Sequence, residues 1–174
     1  MKAVIGLAAA AIAVLTAGGI KSALPGAPTG PDSSEVKATQ VRVTAVVDGD
    51  TLRVEDLGGR ELGRVRLLGI DAPEVAHPSA SAGCYADQAT DLLEEFAPVG
   101  STVQLVTDSG QPNRDRYDRL LRYVDHAGVD VAHELLARGA ARRYEAAQDL
   151  AREESYSAAA DDAEDADSGL WGTC

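Results

Sequence analysis

With 174 residues, 45% of them hydrophobic and 4% aromatic, the chain has apolar material for one core and reads as one domain with tails. A formal charge of −12 argues against a general affinity for polyanions, because phosphate binding normally needs an excess of Lys and Arg. That charge is uneven, with three Lys/Arg against two Asp/Glu in residues 1–40, 12 against 18 in 41–145 and one against eight in 146–174, so a local cleft can still be positive.

Residues 1–20 read as a secretory signal or an uncleaved N-terminal membrane anchor: Lys2 is followed by an uncharged apolar run from Ala3 to Ala17. Residues 21–39, with Pro25, Pro28 and Pro31, read as a disordered linker, leaving 40–174 as the folded domain of a secreted or surface-anchored chain, expected to be a monomer. Alternation from Gln40 to Val47 predicts a half-buried strand, and Asp48-Gly49 predicts a tight turn into a second strand, Thr51–Val54. Val65–Ile70 predicts a third, nearly all-apolar strand that ends in Asp71, Pro73 and Glu74.

From Tyr85 the period changes. Tyr85, Ala89, Leu92, Leu93 and Phe96 share a helical face, and Pro98 with Gly100 ends the helix. Thr102–Val106 returns to strand character, residues 108–118 form a long polar loop with the marks of a functional one, and Arg119–Val124 predicts a fifth strand. Asp130 fits the N-cap of a short helix through Arg138 with Gly139 just past its end. A third, Ala-rich helix is expected from beyond Tyr144 to about Ala160, then a frayed acidic stretch from Asp161 to Asp167 and a docking segment at Gly169–Gly172, where Trp171 is a packing anchor. Five short strands with a helix between the third and fourth, and about three helices in all, predict an α+β chain built on an OB-fold barrel. Cys84 and Cys174 are the only cysteines, and in an exported chain the pair predicts a disulfide.

Chemistry concentrates where strands end. Asp50 and Asp71 suit a hard cation, Ca²⁺ or Mg²⁺, because no His or Cys cluster accompanies them and a turn adds a backbone carbonyl. Asp48 is explained by the turn itself. Glu74 fits a base that orients or deprotonates an attacking water. Arg66 interrupts an apolar strand, and either grips phosphate or bridges to one of the acids. Arg114, Arg116, Arg119 and Arg122, with Tyr117 and Tyr123 interleaved, suit phosphate contact and base stacking. They equally suit a solvated strand face, since Asp115 and Asp118 offset half of the charge.

The segments Val47–Thr51, Arg66–Glu74 and Asp115–Arg119 resemble, in the same order, the signature blocks of the thermonuclease (staphylococcal nuclease-like) family over about residues 40–145, with a weaker echo at Gly169–Trp171. The resemblance implies a Ca²⁺-dependent nuclease acting on single-stranded DNA or RNA and leaving 3′-phosphate ends. It assigns Asp50, Asp71 and the Ala72 carbonyl to the ion, Glu74 to the water, Arg66 and Arg119 to the phosphate, and Arg116 and Tyr117 to a terminal phosphate. Asp118 stands where the family usually has glycine, so a pairing with Arg119 that competes with phosphate is one expectation; the loop after Glu74 lacks the family's lysines, and Tyr144 aligns one residue early for the tyrosine of the far cleft wall. The alternative is a nucleic-acid-binding OB module without activity. A third reading, an exported Ca²⁺-binding domain for a protein partner, leaves Arg66 and Arg119 without a role.

Overall fold

The structure, a computed structural model, describes residues 37–174. The expected leader and nearly all of the expected linker therefore lie outside the described residues.

Strand β1 (Ala38–Asp48) starts two residues before Gln40, where the first strand was expected to begin, because Ala38 and Thr39 pair with Val106 and Leu105. It turns through Gly49 and Asp50 into β2 (Thr51–Glu55), which is followed by β3 (Glu61–Leu67), all antiparallel. The third strand thus begins earlier than expected and stops at Leu67 rather than Ile70. A turn at Leu68-Gly69 breaks it, with Gly69 at φ +80°, and Ile70 re-enters as the short strand β4 (Ile70–Asp71). Only glycine suits that turn, since a Cβ there would also come within 2.8 Å of the Tyr156 ring.

Helix α1 (Ala86–Phe96) buries Ala86, Ala89 and Leu93, and β5 (Thr102–Val106) joins the outer edge of β1. Strand β6 (Leu120–His126) pairs with β5 and, in parallel, with β3, which closes a five-stranded barrel of OB topology. Inward-facing Val41, Val43, Leu52, Val54, Val65, Leu67 and Val124 fill it. After β7 (Val129–Asp130), helix α2 (Val131–Ala137) starts at Asp130, whose carboxylate accepts from the His133 N–H at 3.2 Å, and Gly139 follows at φ +62°. Strand β8 (Arg142–Arg143) pairs with β4.

The third helix departs from expectation. Residues 144–152 hold no helix, and α3 (Glu153–Asp165) includes the acidic stretch that was expected to fray. Its start is set by tertiary bonds. Arg152 grips Asp125 through both guanidinium nitrogens at 2.6 and 2.9 Å and reaches Asp130 at 2.7 Å, while Tyr156 donates to Asp130 at 3.0 Å. Asp108 accepts from Tyr123 Oη at 2.5 Å and from the Ala151 N–H at 2.9 Å, tying the polar loop to the approach of the helix. Burial, then the bond to Asp108, raises the Tyr123 phenol beyond its ordinary range. Along the helix Tyr156, Ala159, Ala160 and Ala163 are buried, so its polar end still packs. A last helical turn, α4 (Leu170–Thr173), buries Leu170, and Cys174 is joined to Cys84 by a disulfide.

Candidate active site

Period-two alternation decides which side chains meet. Leu52 pairs with Val65 in the barrel interior, so their neighbours Thr51 and Arg66, also paired, face outward beneath the polar loop. Asp50 follows from the turn, and its backbone carbonyl accepts from the Leu67 N–H at 2.9 Å. The turn residue Gly49 sits so close to the site that a Cβ would stand 2.6 Å from Ala72 Cβ and 2.8 Å from Ala89 Cβ.

Arg66 joins the two acids. One guanidinium nitrogen lies 2.8 Å from Asp50 Oδ2 and donates to the Ile70 carbonyl at 2.7 Å, and the other lies 2.8 Å from Asp71 Oδ1. Asp50 is buried, with Oδ1 accepting from Thr51 Oγ1 at 2.9 Å and Oδ2 from the Ala72 N–H at 3.0 Å. Burial pushes its carboxyl up to about 7; Arg66 pulls it down and Asp48 adds to the rise. Asp71 instead exposes 58% of its side chain. Both of the expected roles of Arg66 stay open in this arrangement, since it bridges the acids and also lines the cleft.

Arg119 lies one residue before β6 rather than within it. Its Nε donates to Asp115 Oδ2 at 2.7 Å and another nitrogen to Thr51 Oγ1 at 3.3 Å. Asp115 Oδ1 accepts the N–H groups of both Tyr117 and Arg119 at 2.9 Å. Burial raises that carboxyl, but the bonds from Arg119 and Tyr117 outweigh it and hold it below the usual carboxylate range. Asp118 turns away. Its side chain is 87% exposed and faces Arg114 at 3.4 Å, so the expected competition for Arg119 falls to Asp115. At φ +63°, Asp118 occupies a backbone conformation that favours glycine and tolerates Asp.

A cleft of about 590 Å³ gathers these groups: Arg66, Asp71 and Glu74, then Arg114, Arg116, Tyr117 and Arg119 from the loop, and Tyr144. Arg116 lies 4.6 Å and Arg119 5.6 Å from the centre of the Tyr117 ring, and Arg66 lies 5.6 Å from that of Tyr144. Tyr144 therefore reaches the cleft wall despite its one-residue offset. Asp50 and Ala72 stand behind Arg66 and Asp71. The cysteines do not line this cleft.

For an ion, the expected donors are the Asp50 and Asp71 carboxylates and the Ala72 carbonyl, all hard oxygens, and in this structure the Arg66 guanidinium contacts both acids. The residues fit a hard divalent cation. Among the described residues, no group of three His, Cys, Asp or Glu side chains forms a metal cluster.

The family model for staphylococcal nuclease homologues matches residues 64–173. The chain belongs to the staphylococcal nuclease homologue family. It is 35% identical over 109 residues to endonuclease YncB of Bacillus subtilis (strain 168), covering 63% of this chain and 50% of that protein. It is 38% identical over 102 residues to the SPbeta prophage-derived endonuclease YokF of the same organism, covering 59% and 33%, and 33% identical over 110 residues to the thermonuclease of Staphylococcus intermedius, covering 61% and 62%. The chain thus spans between about a third and two thirds of the length of these curated relatives.

Sequence reasoning treated Asp115 as a neutraliser of charge and did not single out Thr51, yet these are the two side chains that hold Arg119 in this staphylococcal nuclease-like site. The four-residue offset from Asp115 to Arg119 was the available signal. Nothing local marked Thr51.

Proposed function

We propose that this chain is an exported or surface-anchored nuclease that hydrolyses phosphodiester bonds of single-stranded DNA or RNA with Ca²⁺, leaving 3′-phosphate ends. The observation that carries the reading is the convergence of Arg66, Asp71 and Glu74, from one stretch, with Arg119, from the polar loop, on one cleft. Names of relatives support the same class. Bound Ca²⁺, held by Asp50, Asp71 and the Ala72 carbonyl, would supply positive charge next to the phosphate.

The chain's own residues then divide the remaining work. Glu74 is exposed at the cleft wall and orients the attacking water, taking its proton as the oxygen approaches phosphorus. Arg119, aimed by Asp115 and Thr51, donates to the phosphate oxygens as negative charge builds on them. Arg66 offers a second guanidinium, tethered by the acids so that it meets the phosphate with little loss of side-chain freedom. Tyr117 and Tyr144 offer ring faces for bases on either side. The acidic remainder of the chain weakens long-strand binding and makes it salt-sensitive.

The decisive experiment is cleavage of a labelled single-stranded DNA oligonucleotide. Turnover that chelator abolishes and Ca²⁺ restores is expected, with products that a polymerase extends only after phosphatase treatment. Oligonucleotide binding without turnover in Ca²⁺, Mg²⁺ or Mn²⁺ would replace this reading with a binding module.

A further inference from the structure

The disulfide sits behind the cleft rather than at a remote edge. Cys84 follows Gly83, whose N–H donates to the Glu74 carbonyl at 2.8 Å and so closes the loop that begins at the expected base. Gly83 packs against that segment so closely that a Cβ would lie 3.1 Å from Pro73 Cβ. On the other side of the bridge, Cys174 N–H donates to the Leu170 carbonyl at 2.9 Å, and Leu170 is buried with its own N–H on the Gly139 carbonyl at 2.8 Å. A cavity of about 250 Å³ has both cysteines on one wall and Asp71, Ala72 and Pro73 on another.

The same C-terminal turn reaches the ion-binding strand by a second route. Asp71 pairs with Arg142 in the β4–β8 ribbon, and the Arg142 guanidinium lies 4.6 Å from the centre of the Trp171 ring. The carriers of Asp71, Ala72 and Glu74 are therefore held by a two-residue ribbon, a short loop and whatever braces them from behind. The bridge ties both braces together.

We propose that the Cys84–Cys174 disulfide is a positioning element of the cleft, fixing the Asp71–Glu74 segment, and that its reduction disables the site while the barrel stays folded. The barrel has its own closed ladder and buried interior, neither of which includes a cysteine. Reduction by a dithiol delivers two electrons and two protons, gives two thiols, and leaves the reagent as its own cyclic disulfide. Freed, Cys174 releases the last turn, Trp171 leaves Arg142, and the Glu74 loop loses its anchor at Gly83. The catalytic part of this proposal rests on the nuclease reading; the structural part does not.

The test compares the oxidised full chain, the dithiothreitol-reduced chain and the Cys84→Ser/Cys174→Ser variant by amide hydrogen exchange, by Trp171 fluorescence and by turnover of a short oligonucleotide in Ca²⁺. After reduction, exchange across residues 71–83 is expected to rise about tenfold or more while β1, β2 and β3 change less than about twofold. Trp171 is the chain's one tryptophan, and its emission should move to the red. kcat should fall about tenfold or more with KM within about threefold, and reoxidation should restore both. Unchanged exchange at 71–83 overturns the proposal, as does an equal loss of protection throughout the barrel, which would make the bridge a general staple. An oxidised chain without turnover sinks the nuclease reading alone, since the exchange result still decides whether the bridge positions the segment.

Discussion

Replacing Asp115 by Asn changes one atom and tests how Arg119 is aimed. Asp115 Oδ1 holds the two N–H groups of Tyr117 and Arg119, and Oδ2 holds Arg119 Nε at 2.7 Å. Asn can keep the first oxygen, but its amide then presents N–H groups to a guanidinium that also only donates. Both side chains are less than one-fifth exposed, 19% for Arg119 and 17% for Asp115, so solvent screening relieves little of the loss. A hydrogen bond between charged partners is worth about 1.5–3 kcal/mol, which for a chain of this size lowers Tm by roughly 3–12 °C. Arg119 would keep only its longer contact to Thr51 and the Tyr117 ring face, and misalignment of this kind lowers kcat by about a hundredfold. Oligonucleotide turnover and a thermal melt on the same preparation measure both effects. Asp118→Asn is the control, expected to leave kcat unchanged because Asp118 is exposed and faces Arg114. A normal kcat in Asp115→Asn, or an equal loss in Asp118→Asn, would refute the assignment of Asp115 as the residue that aims Arg119.

The proposed catalytic roles predict that Glu74→Gln and Arg119→Ala each lower kcat by about 10²–10³-fold with little change in the circular dichroism spectrum; full activity in either removes that residue from the mechanism. Asp108 predicts the acid limb of stability. Burial opposes its charge, but donors from Ala151, Tyr123 and Gly110 overcome it and hold its carboxyl below the usual range. A depressed carboxyl contributes stability above its unfolded pKa of about 3.9 that is lost as pH falls through the lower folded value. Asp108→Asn should therefore be about 1–3 kcal/mol less stable at pH 7 yet lose less on acidification, and urea midpoints at pH 7 and pH 3 that fall in parallel for both proteins would contradict it. Gly49→Ala forces a methyl against Ala72 and Ala89 and should cost about 1–3 kcal/mol while weakening the proposed Ca²⁺ binding, measured by calorimetry; a variant with wild-type Tm and affinity would show that the turn can yield.

Much of the fold was legible because it rests on local rules. Period-two runs located the barrel strands, the Asp-Gly signal located the first hairpin although its two-residue turn is Gly49–Asp50 with Asp48 still in the strand, and Asp130 with Gly139 bracketed the second helix. The misses have a common cause. Ile70 continues the apolar run of the third strand, but Gly69 at positive φ redirects it to pair with Arg143. Residues 145–152 have helical composition, but Arg152 and Ala151 are committed to Asp125, Asp130 and Asp108. Those partners lie more than twenty residues away, where propensity has no reach.

The site divides in the same way. Residue types and spacing along the chain nominated Asp50, Asp71 and Arg66, since paired carboxylates suit a hard ion and an arginine inside an apolar strand is costly without a partner, whereas Glu74 and Arg119 rose above a surface acid and a solvated strand face only through the family resemblance. The partners themselves were decided only by tertiary structure. Closure of the barrel through the β3–β6 pairing brings Arg119 beside Thr51, the β2–β3 register puts Arg66 on the face of the cleft, and the approach of Asp71 lets one guanidinium hold two acids from separate turns. Pairwise distances across a closed sheet depend on register and twist summed over many residues, and no local pattern carries that sum.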